Sequence, residues 1–153
     1  TTEDPVEYDI DGIVQIPTLL PMRQMKTAVF LTRMESASAS ERMSAVHYAG
    51  DDEAWDDTVR EAVVRALNTD ANANVRLAAL ETLARRSADP RVREALVQSI
   101  ERQQSPLLFL ALADVMLDLD EKRAAESFRK ISADPALYFS VRRRLEETAR
   151  KLT

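Results

Sequence analysis

Residues 74–100, NVRLAALETLARRSADPRVREALVQSI, predict two helices joined by a short turn. In each helix mainly apolar residues recur at the spacing of one helical face and form a stripe. The stripe contains Val75, Leu77, Ala78, Leu80 and Leu83 in the first helix, and Val92, Ala95, Leu96, Ser99 and Ile100 in the second. Between them, Asp89 can cap the second helix and Pro90 can take its first position, where a missing N–H costs nothing. Neither helix can bury its stripe alone, so the unit must pack against neighbours.

Similar units lie on both sides of this stretch. Residues 42–46 match residues 76–80 at an offset of 34, and residues 59–62 match residues 92–95 at an offset of 33. A third unit begins at Ser105-Pro106, and one further helix near the C terminus supplies half a repeat. A period of this length with two helices in each unit predicts an all-α fold of about three and a half two-helix repeats.

The N-terminal residues lack this periodicity. Residues 1–21 contain three prolines and a glycine, and we expect an irregular arm there, followed by a single domain at 22–153. The arm's apolar residues suit a short extended piece: Tyr8, Ile10, Ile13, Val14 and Ile16. We expect the arm to pack on the helices or to stay mobile; the alternative is a strand that pairs with a partner or a second copy.

The first predicted helix, residues 21–34, has a methionine-rich stripe. We expect this stripe to be core, and the alternative is an adaptable contact for partners: Met22, Met25, Val29 and Phe30. After the next predicted helix, Gly50 is expected to be the left-handed residue that ends it.

An acidic connector, residues 51–57, follows Gly50. It lacks the glycine and terminal glutamate of an EF-hand loop, so we expect it to cap the next helix. The alternatives are a weak cation site or a partner patch. Trp55 within it is expected to fold back onto the helices; if exposed, it would suit the anchor of a protein contact.

Composition limits the possible functions. The chain of 153 residues is 45% apolar and 31% charged and has no cysteine, which excludes disulfides, thiolate metal sites and a thiol nucleophile. Its net charge of −5 is uneven: residues 1–57 have 12 acids and 4 bases, and residues 58–153 have 14 acids and 17 bases. This acidity argues against nucleic-acid binding. No apolar run is long enough to span a membrane, and because the chain begins with Thr1, we expect a fragment or a processed form.

No catalytic, cofactor or metal motif is present, so we expect no enzyme activity and no cofactor. The only histidine, His47, is expected to be structural, with a catalytic or pH-sensing role as the alternative. Arg60, Arg76 and Arg93 recur once in each unit, and we expect them to join neighbouring repeats.

The outward positions of the second helices predict the binding face. Helical geometry places seven charged or polar residues away from the apolar stripes, where repeat proteins have an extended contact surface: Glu61, Arg65, Glu94, Gln98, Glu101, Glu126 and Lys130. The alternative is an ordinary solvated face. With Trp55, these residues are the candidate partner-binding set.

The repeat phrase narrows the family. Residues 72–83, followed by Asp-Pro-Arg-Val within residues 89–96, resemble short bacterial HEAT repeats. The tetratricopeptide and ankyrin signatures are absent. The resemblance implies a HEAT-like α-α solenoid, coiled as a right-handed superhelix.

A closer resemblance covers roughly residues 22–135. The chain is similar to the HEAT-like C-terminal domain of some bacterial membrane-anchored anti-sigma factors of the zinc-finger type. The motifs that carry this resemblance occur in order at residues 22–25, 38–42, 67–70, 74–80, 89–96 and 104–107. In those proteins a cytoplasmic domain holds the sigma factor, and the helical domain lies beyond a transmembrane helix. Neither the zinc ligands nor that helix is present here.

The resemblance implies a non-enzymatic protein-interaction domain, the regulatory or sensory part of such an anti-sigma factor, on the periplasmic side of the inner membrane and tethered upstream. The first alternative is a stand-alone cytoplasmic HEAT-repeat scaffold. The second is an enzyme or enzyme subunit, since some bacterial HEAT-like proteins resemble bilin lyases. Homodimerisation through the methionine-rich helix or the arm is compatible with each of these.

Overall fold

The computed structural model describes residues 22–50, 53 and 55–153, and over these residues the regular secondary structure is all helical. The arm predicted at residues 1–21 lies outside the described residues. Within the described ranges eight α-helices follow one another: α1 (Met22–Met34), α2 (Ala39–Ala49), α3 (Asp57–Thr69), α4 (Ala73–Arg85), α5 (Pro90–Ser99), α6 (Pro106–Leu119), α7 (Ala125–Ser132) and α8 (Phe139–Lys151). Single 3-10 turns at Ile100–Arg102 and Lys122–Ala124 follow α5 and precede α7. The predicted all-α class is confirmed.

Local side chains define the helix starts. Asn72 accepts hydrogen bonds from the N–H groups of residues 74 and 75, and Asp89 accepts one from Arg91. Ser38, Asp56 and Ser105 cap α2, α3 and α6 in the same way. Each cap satisfies backbone donors of the first turn that have no partner inside the helix. The predicted cap at Asp89 is therefore confirmed, as is the cap expected from the acidic connector.

Helices that are two apart in the chain pack side by side. α2 contacts α4, α4 contacts α6, and α6 contacts α8, while α1 contacts α3 and α3 contacts α5. The closest pairs of consecutive helices are α3 with α4 and α7 with α8. One continuous core joins these helices, and its largest fully buried side chains include Leu67, Leu83, Leu96, Leu112, Phe128 and Leu145.

The methionine-rich stripe of α1 was predicted to be core, and this prediction is wrong for three of its four residues. Met22, Met25 and Val29 are 66%, 48% and 53% exposed, and Phe30 is the residue that α1 buries. Phe30 lies against the core together with the partly buried Leu31 and Met34. The apolar surface of α1 is thus wider than the surface that α2 and α3 cover, so the sequence pattern identified an amphipathic helix but not which part of it is covered.

One predicted turn residue was wrong. Gly50 has φ −67° and lies in the right-handed region. It is needed for space, because a β-carbon there would lie 2.7 Å from Cγ2 of Thr82 on α4. Among the described residues other than glycine, the one with positive φ is Asp120, which ends α6 with φ 51°.

Candidate functional site

The predicted binding face contains a shallow groove between α3 and α5. Glu61 and Arg65 of α3 lie across from Glu94 and Gln98 of α5, around a volume of about 370 Å³. The half-buried side chains of Val64 and Ala95 contribute apolar surface, and Arg60 and Arg91 complete the lining. The two sets of residues are related by the repeat offset of 33, which places equivalent positions of neighbouring units beside each other.

Hydrogen bonds hold the acidic side of this groove in place. Gln98 Nε2 donates to Glu94 Oε2 at 2.9 Å, and Arg123 Nη1 donates to Glu94 Oε1 at 2.5 Å. At the other end, Arg91 and Arg60 both donate to Asp57 Oδ1, at 3.0 and 2.6 Å. The pKa of Asp57 is lowered, mainly because of the hydrogen bond from Arg60. The groove therefore presents fixed charges of both signs over a small apolar floor.

The other predicted face residues continue beyond the groove towards α7. Glu101 accepts a hydrogen bond from Ser127 Oγ at 2.8 Å and lies 3.6 Å from Lys130 Nζ. Glu126 pairs with Arg129, one turn along α7, at 3.2 Å. All seven charged or polar residues of the predicted face are exposed, as the helical geometry predicted. That this face binds a partner stays a prediction.

Trp55 is separate from this face. Its ring is partly buried against the core, and the guanidinium carbon of Arg86 lies 4.9 Å from the ring centroid. Nε of Arg86 also donates to the carbonyl oxygen of Gly50 at 2.8 Å. A cation over an aromatic face is attractive, so Arg86 helps to hold Trp55 on the helices. The expectation that Trp55 folds back is confirmed, and the structure does not place it with the other candidate residues.

Arginine clamps join successive units. Arg42 donates to both carboxylate oxygens of Asp70, at 2.8 and 3.0 Å, and also to the carbonyl oxygen of Ser36. Thirty-four positions later, Arg76 donates twice to Gln103 Oε1 and once to the carbonyl oxygen of Asp70. The repetition of one geometry at the repeat offset shows that these arginines serve the fold.

The prediction that the recurring arginines join units is confirmed for two of the three. Arg93 donates to Glu121, 28 positions later in the chain. Arg76 donates to Gln103 of the following unit in the same way. Arg60 forms its hydrogen bond with Asp57 within its own helix, and it interacts with the next unit through its charge near Asp89. Arg42 was not predicted to join units, although its match to Arg76 at the repeat offset would have identified it.

Charge pairing lowers the pKa of two buried carboxyl groups at these junctions. Glu121, 5% exposed, has a pKa lowered to about 2, first by the side-chain hydrogen bond from Arg123 and then by that from Arg93. For Asp70, burial opposes ionisation, but hydrogen bonds from Arg42 and the N–H of Asn72 outweigh it and lower the pKa. Both groups are acceptors within structural clamps.

His47 and the acidic connector form no reactive cluster in the part of the chain that the structure describes. The side chain of His47 is exposed on α2, and its carbonyl oxygen accepts a hydrogen bond from Arg85 at 3.2 Å. Asp56 caps α3, and Asp57 pairs with arginines. Among the described residues, no group of three potential ligands is arranged to hold a metal ion.

A second groove, which the sequence analysis did not predict, lies between α1 and α2. It has a volume of about 280 Å³ and is mainly apolar. Tyr48 of α2, 71% exposed, forms one edge, and the exposed α1 residues form the other. Lys26 and Arg33 are its charged lining residues. The methionine spacing of α1 was assigned to the core, and the alternative was an adaptable contact for partners.

No family model matches the chain, and no curated protein matches it. Among the helices in the described ranges, none has the length and apolar character needed to cross a membrane. The assignment of a function therefore depends on the two grooves and on the sequence resemblance.

Proposed function

We propose that this chain is a non-enzymatic protein-interaction domain, built as a HEAT-like α-solenoid of about three and a half repeats with a right-handed superhelical course. The side-by-side contacts of α2, α4, α6 and α8 support this arrangement. So does the clamp geometry that recurs from Arg42 to Arg76. In a solenoid of this kind each unit contacts its neighbours, and equivalent positions form one long surface.

The α3–α5 groove is the observation that carries the proposal. Glu61, Arg65, Glu94 and Gln98 converge there from two units, with exposed charges of both signs beside Val64 and Ala95. Surface charges of both signs favour selective docking, since they attract a partner with complementary charges and repel one with like charges. An extended polypeptide segment with a small apolar residue between charges fits the chemistry of this groove.

The resemblance supports a narrower proposal: a regulatory or sensory domain of a bacterial membrane-anchored anti-sigma factor, on the periplasmic side. A partner docked on the α3–α5 groove would then alter the hold of an upstream domain on its sigma factor. The coding sequence upstream of Thr1 tests this. A transmembrane segment preceded by a sigma-binding domain supports it, and a gene without them contradicts it in favour of the cytoplasmic scaffold.

Site-specific photo-cross-linking in the native cell tests the docking groove itself. With p-benzoylphenylalanine in place of Gln98, we expect a covalent adduct with one defined protein, weakened when Arg65→Glu is added. The matched control is the same cross-linker in place of Glu81, which is exposed on α4 outside the groove. No adduct at residue 98, or the same adducts at residue 81, would contradict the proposal.

A further inference from the structure

The groove between α1 and α2 lies at one end of the described array. Inside the array, α4 contacts both α2, two helices earlier, and α6, two helices later. α2 contacts α4, but no described helix stands two places before it. Terminal units of repeat arrays need a polar outer surface, whereas Met22, Met25 and Val29 are exposed beside this groove. Contiguous apolar surface of this kind marks a contact site.

We infer that this groove binds an amphipathic helix of another protein, with an apolar stripe against α1 and α2 and acidic residues beside that stripe. The bound helix continues the array by one place. This inference does not depend on the α3–α5 groove. The shape of the groove, the state of its backbone groups and its charge carry it.

The shape of the groove suits a helix. On α1 the lining residues recur every three or four positions from Met22 to Arg33, and on α2 they recur likewise from Ala45 to Ala49. This spacing places them on one face of each helix, so the groove is a trough between two helical faces. Its length along α1 is about 16 Å at the helical rise, which a helix of about 11 residues fills. Helices that dock in such grooves use apolar anchors at the same spacing.

The backbone of α1 and α2 also favours a helix over an extended segment. Along both helices the N–H and C=O groups pair within the helix, so the walls of the trough offer side chains and not free backbone groups. An extended segment laid there would leave its own buried N–H and C=O groups without partners, whereas a helix pairs them internally. The long, unbranched methionine side chains can adapt to the anchors of such a helix.

Charge selects the partner. α1 contains Arg23, Lys26 and Arg33 and no acidic residue. Lys26 and Arg33 line the groove, and none of its described lining residues is acidic. Within the described ranges the guanidinium group of Arg33 has no ion pair, so it is available to a carboxylate of the partner. An acidic helix is therefore attracted and a basic one is repelled.

The same charges disfavour a second copy of this chain as the occupant. In a symmetric dimer each surface contacts its own equivalent. Two copies of α1 would then bring Lys26 and Arg33 close to the same cations of the other copy, and like charges across an interface are unfavourable.

Methionine methyl NMR of the full chain with two designed peptides tests the inference. Both peptides have about 14 residues, with leucines at the spacing of one helical face and alanine elsewhere, and they differ only in four polar positions, which are glutamate in one and lysine in the other. We expect the glutamate peptide to shift the Met22 and Met25 methyl signals until they saturate. The signal of Met116, fully buried on α6, should not move. The lysine peptide should bind about tenfold or more weakly.

Substitutions at exposed positions separate the apolar contact from the charge. Val29→Gln should weaken the binding of both peptides, because it removes an apolar side chain from the groove. Arg33→Glu should reduce the preference for the glutamate peptide. Arg150→Glu, exposed on α8, makes the same charge change away from the groove and should leave both affinities unchanged.

Three results would overturn the inference. Equal affinity of the two peptides would show that charge does not select the ligand. Met22 and Met25 signals that shift with the concentration of the chain alone would show that a second copy covers the groove. No shift with either peptide would show that the groove does not accept a helix from another molecule.

Discussion

The two terminal helices of the array bury their apolar faces to different extents. At the C-terminal end, α8 buries Val141, Leu145 and Ala149 and turns its many charged residues outward. At the N-terminal end, α1 buries Phe30 and leaves Met22, Met25 and Val29 exposed. Both helices are amphipathic, and α8 buries more of its apolar face than α1 does, although Phe139 at its start is 66% exposed. The comparison teaches that a terminal helix stays partly exposed where its apolar face is wider than the surface that its neighbours offer.

The largest expected effect tests the closed end. Leu145→Ala, at a fully buried position of α8, should lower the free energy of unfolding by about 2–5 kcal/mol, because it removes buried methyl groups and leaves a cavity. Leu107→Ala is the matched control on α6, where the side chain is 50% exposed, and should cost less than about 1 kcal/mol. Urea denaturation measures both. Equal losses would show that the C-terminal end is not closed as described.

The next effect concerns the pH dependence at the same end. The pKa of Glu121 is lowered from 4.5 to about 2 in the folded protein, so its stabilising contribution is fully present above pH 4.5 and is lost as the pH falls through 2. We expect this contribution to be about 2 kcal/mol, since the half-exposed Arg123 reduces its full value. The difference in stability between Glu121→Gln and the wild type should shrink between pH 6 and pH 2. A difference that is the same at both pH values would contradict the clamp.

Gly50→Ala tests the close packing of the end of α2 against α4, near the N-terminal end of the array. The added β-carbon would lie 2.6 Å from Arg85 Nη2 and 2.7 Å from Thr82 Cγ2. Thr82 is fully buried and donates to the carbonyl oxygen of Val46, so it cannot easily turn away. The clash should outweigh the entropic gain of alanine and destabilise by about 1–2 kcal/mol. Adding Thr82→Ser removes Cγ2 and keeps the hydroxyl.

The double variant should therefore recover most of the loss relative to Thr82→Ser alone. Thermal unfolding of the four proteins gives the coupling. Without recovery, the close approach of α2 and α4 at Gly50 would not be the cause.

The smallest of these effects concerns the middle of the array. Arg76→Met removes both donors that reach Oε1 of the buried Gln103, and should cost about 1–2 kcal/mol. Arg129→Met is the control, since it breaks an exposed pair within one helix and should have little effect. Chemical denaturation distinguishes the two, and equal small losses would mean that the clamp does not join the units.

Local features of the fold were predictable from the sequence because their causes are local. Asn72, Asp89 and Ser105 cap helices through bonds to residues two or three positions away, so their sequence context is sufficient. The convergence of Glu61 with Glu94 was predictable for a related reason. A repeat offset aligns equivalent positions of adjacent helices, and both lie away from the apolar stripes.

Features that depend on neighbouring elements were not predictable. Gly50 was assigned a backbone role, whereas the need for glycine arises from Thr82, 32 positions away. The stripe of α1 was assigned to the core because periodicity shows that a face is apolar but not what covers it. Arg60 was assigned to a clamp, although Asp57, one turn before it, offered a nearer partner.

Hydrogen exchange measured on α1 and α8 tests the difference between the two ends most directly. Protection reports the local free energy of opening. The α1 amides should exchange about tenfold or more faster than those of α8, because α1 buries Phe30 while α8 buries Val141, Leu145 and Ala149. Equal protection of the two helices would contradict the account.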